Sequence, residues 1–167
     1  MKPIPLLLFV MLLCLLMQSA SATTFYIDNS GSPACSNSAS GGSEANPWCT
    51  VNYAVKRVAA GDIVYVKNGT YNEQVLISGK NGGPSYITFQ NYPGHSPILR
   101  GSGVHTGRHK IIDSNYIKFI GFRITDIQQG LFVESSHHIL LQSLNIYTVG
   151  QEAVHIKMNS SHVTLED

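Results

Sequence analysis

A repeat of 22 to 24 residues runs through the last third of the chain. Its successive turns begin at the apolar strands Ile117-Lys118-Phe119, Ile139-Leu140-Leu141 and Val163-Thr164-Leu165. A second apolar pair and a third strand complete each of the first two turns: Phe122/Ile124 with Leu131-Phe132-Val133, and Leu144/Ile146 with Val154-His155-Ile156. Three short strands per turn at a fixed period are typical of a right-handed parallel β-helix.

Stacking explains why such a repeat folds. Each coil carries one apolar pair per strand and cannot bury these pairs alone, whereas coils stacked about 4.8 Å apart pair their strand edges and form a continuous core. A β-sandwich is the structural alternative, but it requires hairpin turns and has no three-strand period. The sequence therefore predicts an all-β fold, a right-handed parallel β-helix solenoid of four to five coils between Asp62 and Asp167.

One helix is predicted ahead of these coils, from Thr50 to Ala60. Thr50 is a suitable N-cap, the apolar residues after it have helical spacing, and Gly61 ends the pattern. We expect this helix to cap the apolar end of the first coil and to protect its strand edge. Residues 24–28 are predicted to form a strand before it, and period-two apolar pairs follow it: Val64/Val66, Val75/Ile77 and Ile87/Phe89.

The first 22 residues have the pattern of a secretory signal peptide. Lys2 supplies a positive charge, residues 4–17 form an apolar run, and Ala20-Ser21-Ala22 is a small-x-small cleavage site. The run is too short for a permanent membrane span, and an uncleaved anchor is the alternative. We predict a signal peptide over residues 1–22, one β-helix domain over residues 23–167, and a secreted protein that contacts no membrane after cleavage.

Charge argues against nucleic acid as a partner. The chain has 11 basic and 10 acidic side chains, and removal of Lys2 with the signal peptide leaves 10 of each. A neutral chain lacks the basic surface that the phosphate backbone requires. Nothing in the composition predicts an oligomeric state.

Two cysteines remain after signal cleavage, Cys35 and Cys49. They flank a stretch rich in Ser, Gly and Asn, and in an oxidising compartment we predict a disulfide between them. Closing a loop of about 15 residues stabilises the folded state by roughly 3 kcal/mol in the chain-entropy model. Asn68 and Asn159 begin N-x-S/T sequons and are candidate glycosylation sites in surface turns.

Three stretches carry a resemblance to a known family. Residues 61–78 (GDIVYVKNGTYNEQVLIS), 84–101 (PSYITFQNYPGHSPILRG) and 115–126 (NYIKFIGFRITD) resemble the N-terminal part of the pectin-lyase-like β-helix superfamily. They are most similar to chondroitinase-B-like and related polysaccharide lyases. Members of that superfamily include lyases, hydrolases, epimerases and non-catalytic repeat proteins. For a lyase, the resemblance implies a basic side chain, often with calcium, on the outer face of one sheet in the middle coils. No catalytic motif matches residue by residue, so the catalytic residues stay unassigned. Because the sequence stops just after a first strand, we expect the chain to be an N-terminal fragment or a truncated product, and to be inactive alone.

Strand parity identifies a candidate substrate-binding column. If Leu131 and Val133 point inward, then Phe132 and its equivalents Lys110 and His155 point out of one sheet on adjacent coils. An aromatic face suits a sugar ring, and cations suit carboxylates or hydroxyls. Lys157 aligns with Glu134 on the preceding coil. The two side chains form an ion pair, or Lys157 belongs with the column and contacts the substrate. The other interpretation of the column is a plain solvated sheet face. No spacing of His, Cys and carboxylates predicts a metal site.

Two functions are compatible with these observations. The first is the N-terminal part of an exported polysaccharide lyase, which acts on an acidic glycan by β-elimination. The second is a non-catalytic secreted β-helix that binds glycans or has a structural role at a surface. In both, the predicted partner is a polysaccharide.

Overall fold

The computed structural model describes residues 21–167. It contains fourteen strands, a helix α1 at Val51–Val55 and a 3-10 turn at Gly83–Ser85. No helix among the described residues is long and apolar enough to cross a membrane. The predicted signal peptide lies almost wholly outside the described part of the chain. The strands are β1 (Thr24–Ile27), β2 (Ile63–Val66), β3 (Thr70–Asn72), β4 (Leu76–Ser78), β5 (Ile87–Asn91), β6 (Ile98–Arg100), β7 (Arg108–Ile112), β8 (Asn115–Ile120), β9 (Arg123–Thr125), β10 (Gln129–Glu134), β11 (His137–Gln142), β12 (Asn145–Ile146), β13 (Val154–Ile156) and β14 (Ser161–Glu166).

The strands form three parallel sheets that wind into a solenoid. The first sheet has the order β1-β2-β5-β8-β11-β14, the second β3-β6-β9-β12, and the third β4-β7-β10-β13. Each coil contributes one strand to each sheet, which gives about four complete coils. Every pairing between named strands is parallel, so the β-helix prediction is confirmed and the β-sandwich is excluded.

The core consists of aligned inward-facing columns. In the first sheet Phe89 pairs in register with Phe119, and Phe119 with Leu141. In the third sheet Ile77 pairs with Ile111, which pairs with Val133. All of these side chains are at most 2% exposed. The period-two pairs of the sequence therefore mark the inward positions, as predicted.

The last coil is more exposed than predicted. Ile156 was expected in the core but is 46% exposed, and Leu165 is 55% exposed. Val154 is only partly buried against the core. β13 and β14 are the last strands of their sheets and pair with a neighbouring strand on one side only. Their side chains therefore pack against one neighbouring strand, whereas the equivalent side chains in earlier coils pack between two.

The disulfide-closed loop covers the edge of the first sheet. Cys35 and Cys49 are bonded, with their Cα atoms 5.1 Å apart, which confirms the predicted pairing. The Trp48 N–H donates to the Tyr26 carbonyl at 2.9 Å, and the Tyr26 N–H donates to the Gly42 carbonyl at 2.8 Å. The backbone of this loop therefore pairs with β1 in place of a further strand, which satisfies edge groups that would otherwise be exposed.

Close packing holds the loop against β1. The Trp48 ring stacks on Phe25 with centroids 4.7 Å apart. Gly42 has φ of +98°, and a Cβ there would lie 2.8 Å from the Trp48 indole. Both its conformation and the indole therefore require glycine at this position.

Helix α1 is shorter than the predicted helix. It spans only Val51–Val55, although Thr50 is its N-cap and accepts from the Tyr53 N–H at 3.3 Å. Val58 lies beyond the helix and is still 3% exposed. The apolar spacing over residues 50–60 thus predicts correctly which side chains are buried. The helix itself ends after about one and a half turns.

Asn52 links α1 to the edge of the third sheet. Its side-chain Nδ2 donates to the Gln74 carbonyl at 2.8 Å, and its Oδ1 accepts from the Leu76 N–H at 2.9 Å. The amide therefore bonds to β4 as a neighbouring strand would. The Glu73 carboxylate accepts in turn from the Val51 and Asn52 N–H groups, at 2.7 and 3.0 Å.

Asn52→Ala is expected to lower the free energy of unfolding by about 1–2 kcal/mol, because two hydrogen bonds of about 1 kcal/mol each are lost from this edge. Urea denaturation measures the change. Lys56→Ala is the matched control, since Lys56 is exposed at the C-cap of the same helix. Equal stability of Asn52→Ala and Lys56→Ala would show that the amide does not support β4.

Candidate functional site

The predicted column lies on the outer face of the third sheet. Phe132 on β10 pairs in register with Lys110 on β7 and with His155 on β13. Glu134 and Lys157 lie beyond them toward the next corner, with Lys157 Nζ 3.9 Å from Glu134 Oε1. The structure therefore brings all four predicted binding residues onto one face of the solenoid.

Phe132 does not present a free ring to solvent. Its side chain is only 6% exposed, in contrast to the predicted sugar-stacking surface. The guanidinium of Arg108, from the preceding coil, lies 4.9 Å from the ring centroid. The imidazole of His155, from the following coil, stacks at 5.2 Å with an interplanar angle of 17°. Groups from both neighbouring coils cover the ring, so Phe132 packs between Arg108 and His155. The prediction that Phe132 offers an open surface to a sugar ring is therefore wrong.

Two of the predicted basic side chains already have acidic partners. Lys157 pairs with Glu134, as the alternative interpretation stated. His155 Nδ1 lies 3.5 Å from Glu152 Oε1, and Gln129 Nε2 donates to Glu152 Oε2 at 2.7 Å. The hydrogen bond from Gln129, with help from His155, lowers the pKa of Glu152, so this carboxylate stays charged beside the imidazole.

Arg108 and Lys110 also lie on this face, and the described part of the chain gives neither of them an acidic partner. Neither has a carboxylate oxygen within 4.0 Å among residues 21–167. Both line a shallow cavity of about 170 Å³, together with Gln74, Val75 and Leu76 of the preceding coil. An open cavity with two unneutralised cations is suited to an anionic group such as a carboxylate.

A second cavity adjoins the first at Gln74. It has a volume of about 200 Å³ and is lined by Asn72, Arg100 and Ser102 among others. Arg100 Nε bonds Asp126 Oδ2 at 3.0 Å, so its charge is partly neutralised. The two cavities form a polar groove over the corner between the second and third sheets. We call it the corner groove.

Sequence reasoning missed Arg108, although a signal was present. Arg108 is two residues before Lys110 on the same strand, so strand parity places both side chains on the outer face. Arg100 also lies on a strand, β6, where parity places its side chain outward beside the buried Leu99. Gln74 had no such signal, because it lies in the corner between β3 and β4.

The described residues do not fit a calcium site. Calcium takes six to eight oxygen ligands. Among residues 21–167, no three or more His, Cys, Asp or Glu side chains lie close enough to hold a metal ion. No chemical step is therefore assigned to calcium in these coils.

The fold defines the class of protein. A solenoid of three parallel sheets, with inward-facing side chains stacked from coil to coil, is a pectin-lyase-like β-helix. The family model described as "Pel9A-like, right handed beta helix region" matches residues 30–166. The chain belongs to this family.

Comparison with individual proteins agrees with this fold. The chain is 29% identical over 129 residues to the uncharacterized protein YwoF of Bacillus subtilis (strain 168), over 73% of this chain and 25% of YwoF. An alginate lyase from Paenibacillus sp. str. FPU-7 superposes with a TM-score of 0.67 at 19% identity, over 86% of this chain and 43% of that chain. A rhamnogalacturonan lyase superposes with a TM-score of 0.46 at 16% identity, over 87% and 50%. The chain thus spans a quarter of YwoF and less than half of the alginate lyase.

Proposed function

We propose that this chain forms N-terminal coils of a secreted polysaccharide lyase that cleaves an acidic glycan by β-elimination, and that the corner groove binds the carboxylates of that glycan. The observation that carries the proposal is the pair Arg108 and Lys110, two cations beside an open cavity that have no acidic partner within residues 21–167. The fold shared with an alginate lyase supports the substrate class.

The chemistry of β-elimination explains why such cations are needed. A base removes the C5 proton, the electron pair forms the C4–C5 double bond, and the C4–oxygen bond breaks as the leaving oxygen takes a proton. Positive charge beside the C5 carboxylate stabilises the charge that develops there. Binding of the neighbouring carboxylates positions the chain for this step.

The shared cavity supports a binding role for Arg108 and Lys110. Both lie on β7, two residues apart, and both line this one cavity. They therefore hold a carboxylate of the glycan together, and none of the described residues is assigned as the base.

Several features support secretion. A disulfide between Cys35 and Cys49 is typical of an oxidising compartment. Asn68 and Asn159 are exposed, as glycosylation of their sequons requires. We include both as glycosylation sites in the proposal.

Lys110→Gln is expected to weaken binding to polyuronates by at least about tenfold, since one charge-assisted hydrogen bond contributes about 1.5–3 kcal/mol. Affinity electrophoresis through gels with alginate, polygalacturonate or chondroitin sulfate measures the dissociation constants, with dextran as the uncharged comparison. Added salt should weaken wild-type binding, because exposed charges are screened.

Lys56→Gln is the matched control, as it removes an exposed lysine that lines neither cavity of the corner groove. It should bind polyuronates like the wild type. Failure of the wild type to bind any acidic glycan, or equal weakening by Lys56→Gln, would contradict the proposal. Binding without release of unsaturated uronate, followed by its ultraviolet absorbance, would favour the alternative, a non-catalytic glycan-binding β-helix.

A further inference from the structure

Three tyrosines meet on the outer face of the first sheet, away from the corner groove. Tyr26 on β1 pairs in register with Tyr65 on β2, and their rings stack with centroids 5.9 Å apart. Tyr92, directly after β5, lies 6.2 Å from Tyr26 and 5.7 Å from Tyr65. All three side chains are half-buried. We call this group the tyrosine surface.

The tyrosine surface is rigid. Tyr26 and Tyr65 belong to paired strands, and the Tyr92 N–H donates to the Val66 carbonyl at 2.8 Å. The disulfide-closed loop forms backbone hydrogen bonds with β1 at Tyr26 itself. Aromatic rings held by paired backbone lose little conformational freedom when a ligand binds, which favours their use as a binding surface.

Polar groups surround the rings. Lys67 Nζ lies 5.3 Å from the Tyr92 centroid and 3.1 Å from Glu44 Oε1. The negative charge of Glu44 raises the pKa of Tyr92, so the phenol stays protonated and can donate a hydrogen bond. His95 contacts Tyr92 at 5.0 Å, and its Nδ1 accepts from the Asn68 N–H at 2.8 Å. The neutral imidazole then carries its hydrogen on Nε2, as a further donor.

Charge separates this surface from the corner groove. Lys67 is the one cation among these groups, and it already pairs with Glu44 and lies 4.0 Å from Asp28 Oδ2. One ammonium against two carboxylates gives a local charge of −1. Such a surface repels a polyuronate and does not attract a cationic partner strongly, because its carboxylates are engaged.

We propose that the tyrosine surface is a second glycan-binding site, which takes the sugar rings of an uncharged polysaccharide. The rings of Tyr26 and Tyr65 stack on each other, so the sugars pack against the half-exposed edges of the phenols. The sugar hydroxyls bond to the Tyr hydroxyls, Lys67, Glu44 and His95. An uncharged ligand with alternating apolar and hydroxyl surface matches the aromatic rings, the polar rim and the absence of an unpaired cation. This site is independent of the acidic-glycan function proposed for the corner groove.

Tyr65→Ala is expected to weaken binding to an uncharged glycan about three- to tenfold, because it removes the ring that contacts both other tyrosines of the surface. The probes are xylan, laminarin, mannan and cellohexaose, titrated into the whole purified chain by calorimetry. Tyr65→Phe retains the ring and should keep most of the affinity. If Tyr65→Ala does not fold, Tyr92→Ala in the turn after β5 gives the same test.

Tyr147→Ala is the matched control, because Tyr147 is a partly exposed tyrosine after β12 that bonds Arg123 at 2.9 Å. It should bind uncharged glycans like the wild type, and Tyr65→Ala should bind polyuronates like the wild type. Three results would overturn the proposal: no binding of any uncharged probe by the wild type, no difference between Tyr65→Ala and Tyr147→Ala, or loss of polyuronate binding in Tyr65→Ala. Each can occur whether or not Lys110→Gln weakens polyuronate binding, so the two proposals fail separately.

Discussion

Phe119→Ala is expected to lower the free energy of unfolding by about 3–5 kcal/mol, the usual cost of removing a buried aromatic ring. Phe119 is fully buried on β8 and stacks on Phe122 with centroids 4.3 Å apart. It also lies in register between Phe89 and Leu141, so its loss leaves a cavity in the centre of the longest core column. Domains of this size have a total stability of about 5–15 kcal/mol. We therefore expect a large fall in the urea midpoint.

Lys118→Ala is the control for this prediction. Lys118 is the neighbouring residue on β8, it points outward, and its ammonium lies 4.9 Å from the Tyr86 ring centroid. Its loss should cost about 0.5–1 kcal/mol, the value of an exposed cation–π contact. Similar losses for Lys118→Ala and Phe119→Ala would contradict the inward and outward assignment of the first sheet.

The core columns could be predicted because two periods specify them together. Alternation within a strand decides which side chains point inward, and the repeat of 22 to 24 residues decides which of them stack. Ile117, Ile139 and Val163 were aligned in this way, and they pair in register in the structure.

The N-terminal edge could not be predicted because it has no period. Gly42 and Trp48 lie in a Ser-, Gly- and Asn-rich loop, and their pairing with β1 depends on backbone groups that any residue carries. The helix was predicted too long for a related reason. Val58 is buried by the first coil and so continues the apolar spacing beyond the end of α1 at Val55.

The candidate site was predicted in its position but not in its contacts. Parity and the repeat placed Lys110, Phe132 and His155 in one column, and the strand register confirms that alignment. The exposure of the Phe132 ring depends on where the long side chains of adjacent coils lie, and the Arg108 guanidinium lies over the ring. Strand parity shows which side chains point outward but not whether they cover a neighbouring ring, so the exposed ring was wrongly predicted.

His109 is the buried group with the largest consequence for pH dependence. It is fully buried on β7, and its Nδ1 accepts from the Val75 N–H at 3.0 Å. Its Nε2 has no hydrogen-bond partner among the described residues. Burial lowers the pKa of His109 from 6.5 to about 4, because a charged imidazolium in the core would lose its hydration.

The expected result is a loss of stability as the pH falls from about 6.5 to about 4. Over this interval the unfolded chain binds a proton at His109 and the folded chain does not, so stability rises with pH. A difference of this size between the folded and unfolded pKa corresponds to about 3 kcal/mol. Burial raises the pKa of Glu73, which acts in the opposite sense, so the effect is measured as a difference between variants.

His109→Asn isolates the effect, since the Asn Oδ1 atom can accept from the Val75 N–H in place of Nδ1 and does not titrate. Urea denaturation at several pH values should show a wild-type stability that falls relative to His109→Asn by about 3 kcal/mol between pH 6.5 and pH 4. His105→Asn, at an exposed histidine four residues earlier, should retain the wild-type slope. Parallel pH profiles for the wild type and His109→Asn would mean that His109 is solvated or paired in the folded protein, because only an uncharged, desolvated imidazole makes protonation of the unfolded chain destabilising.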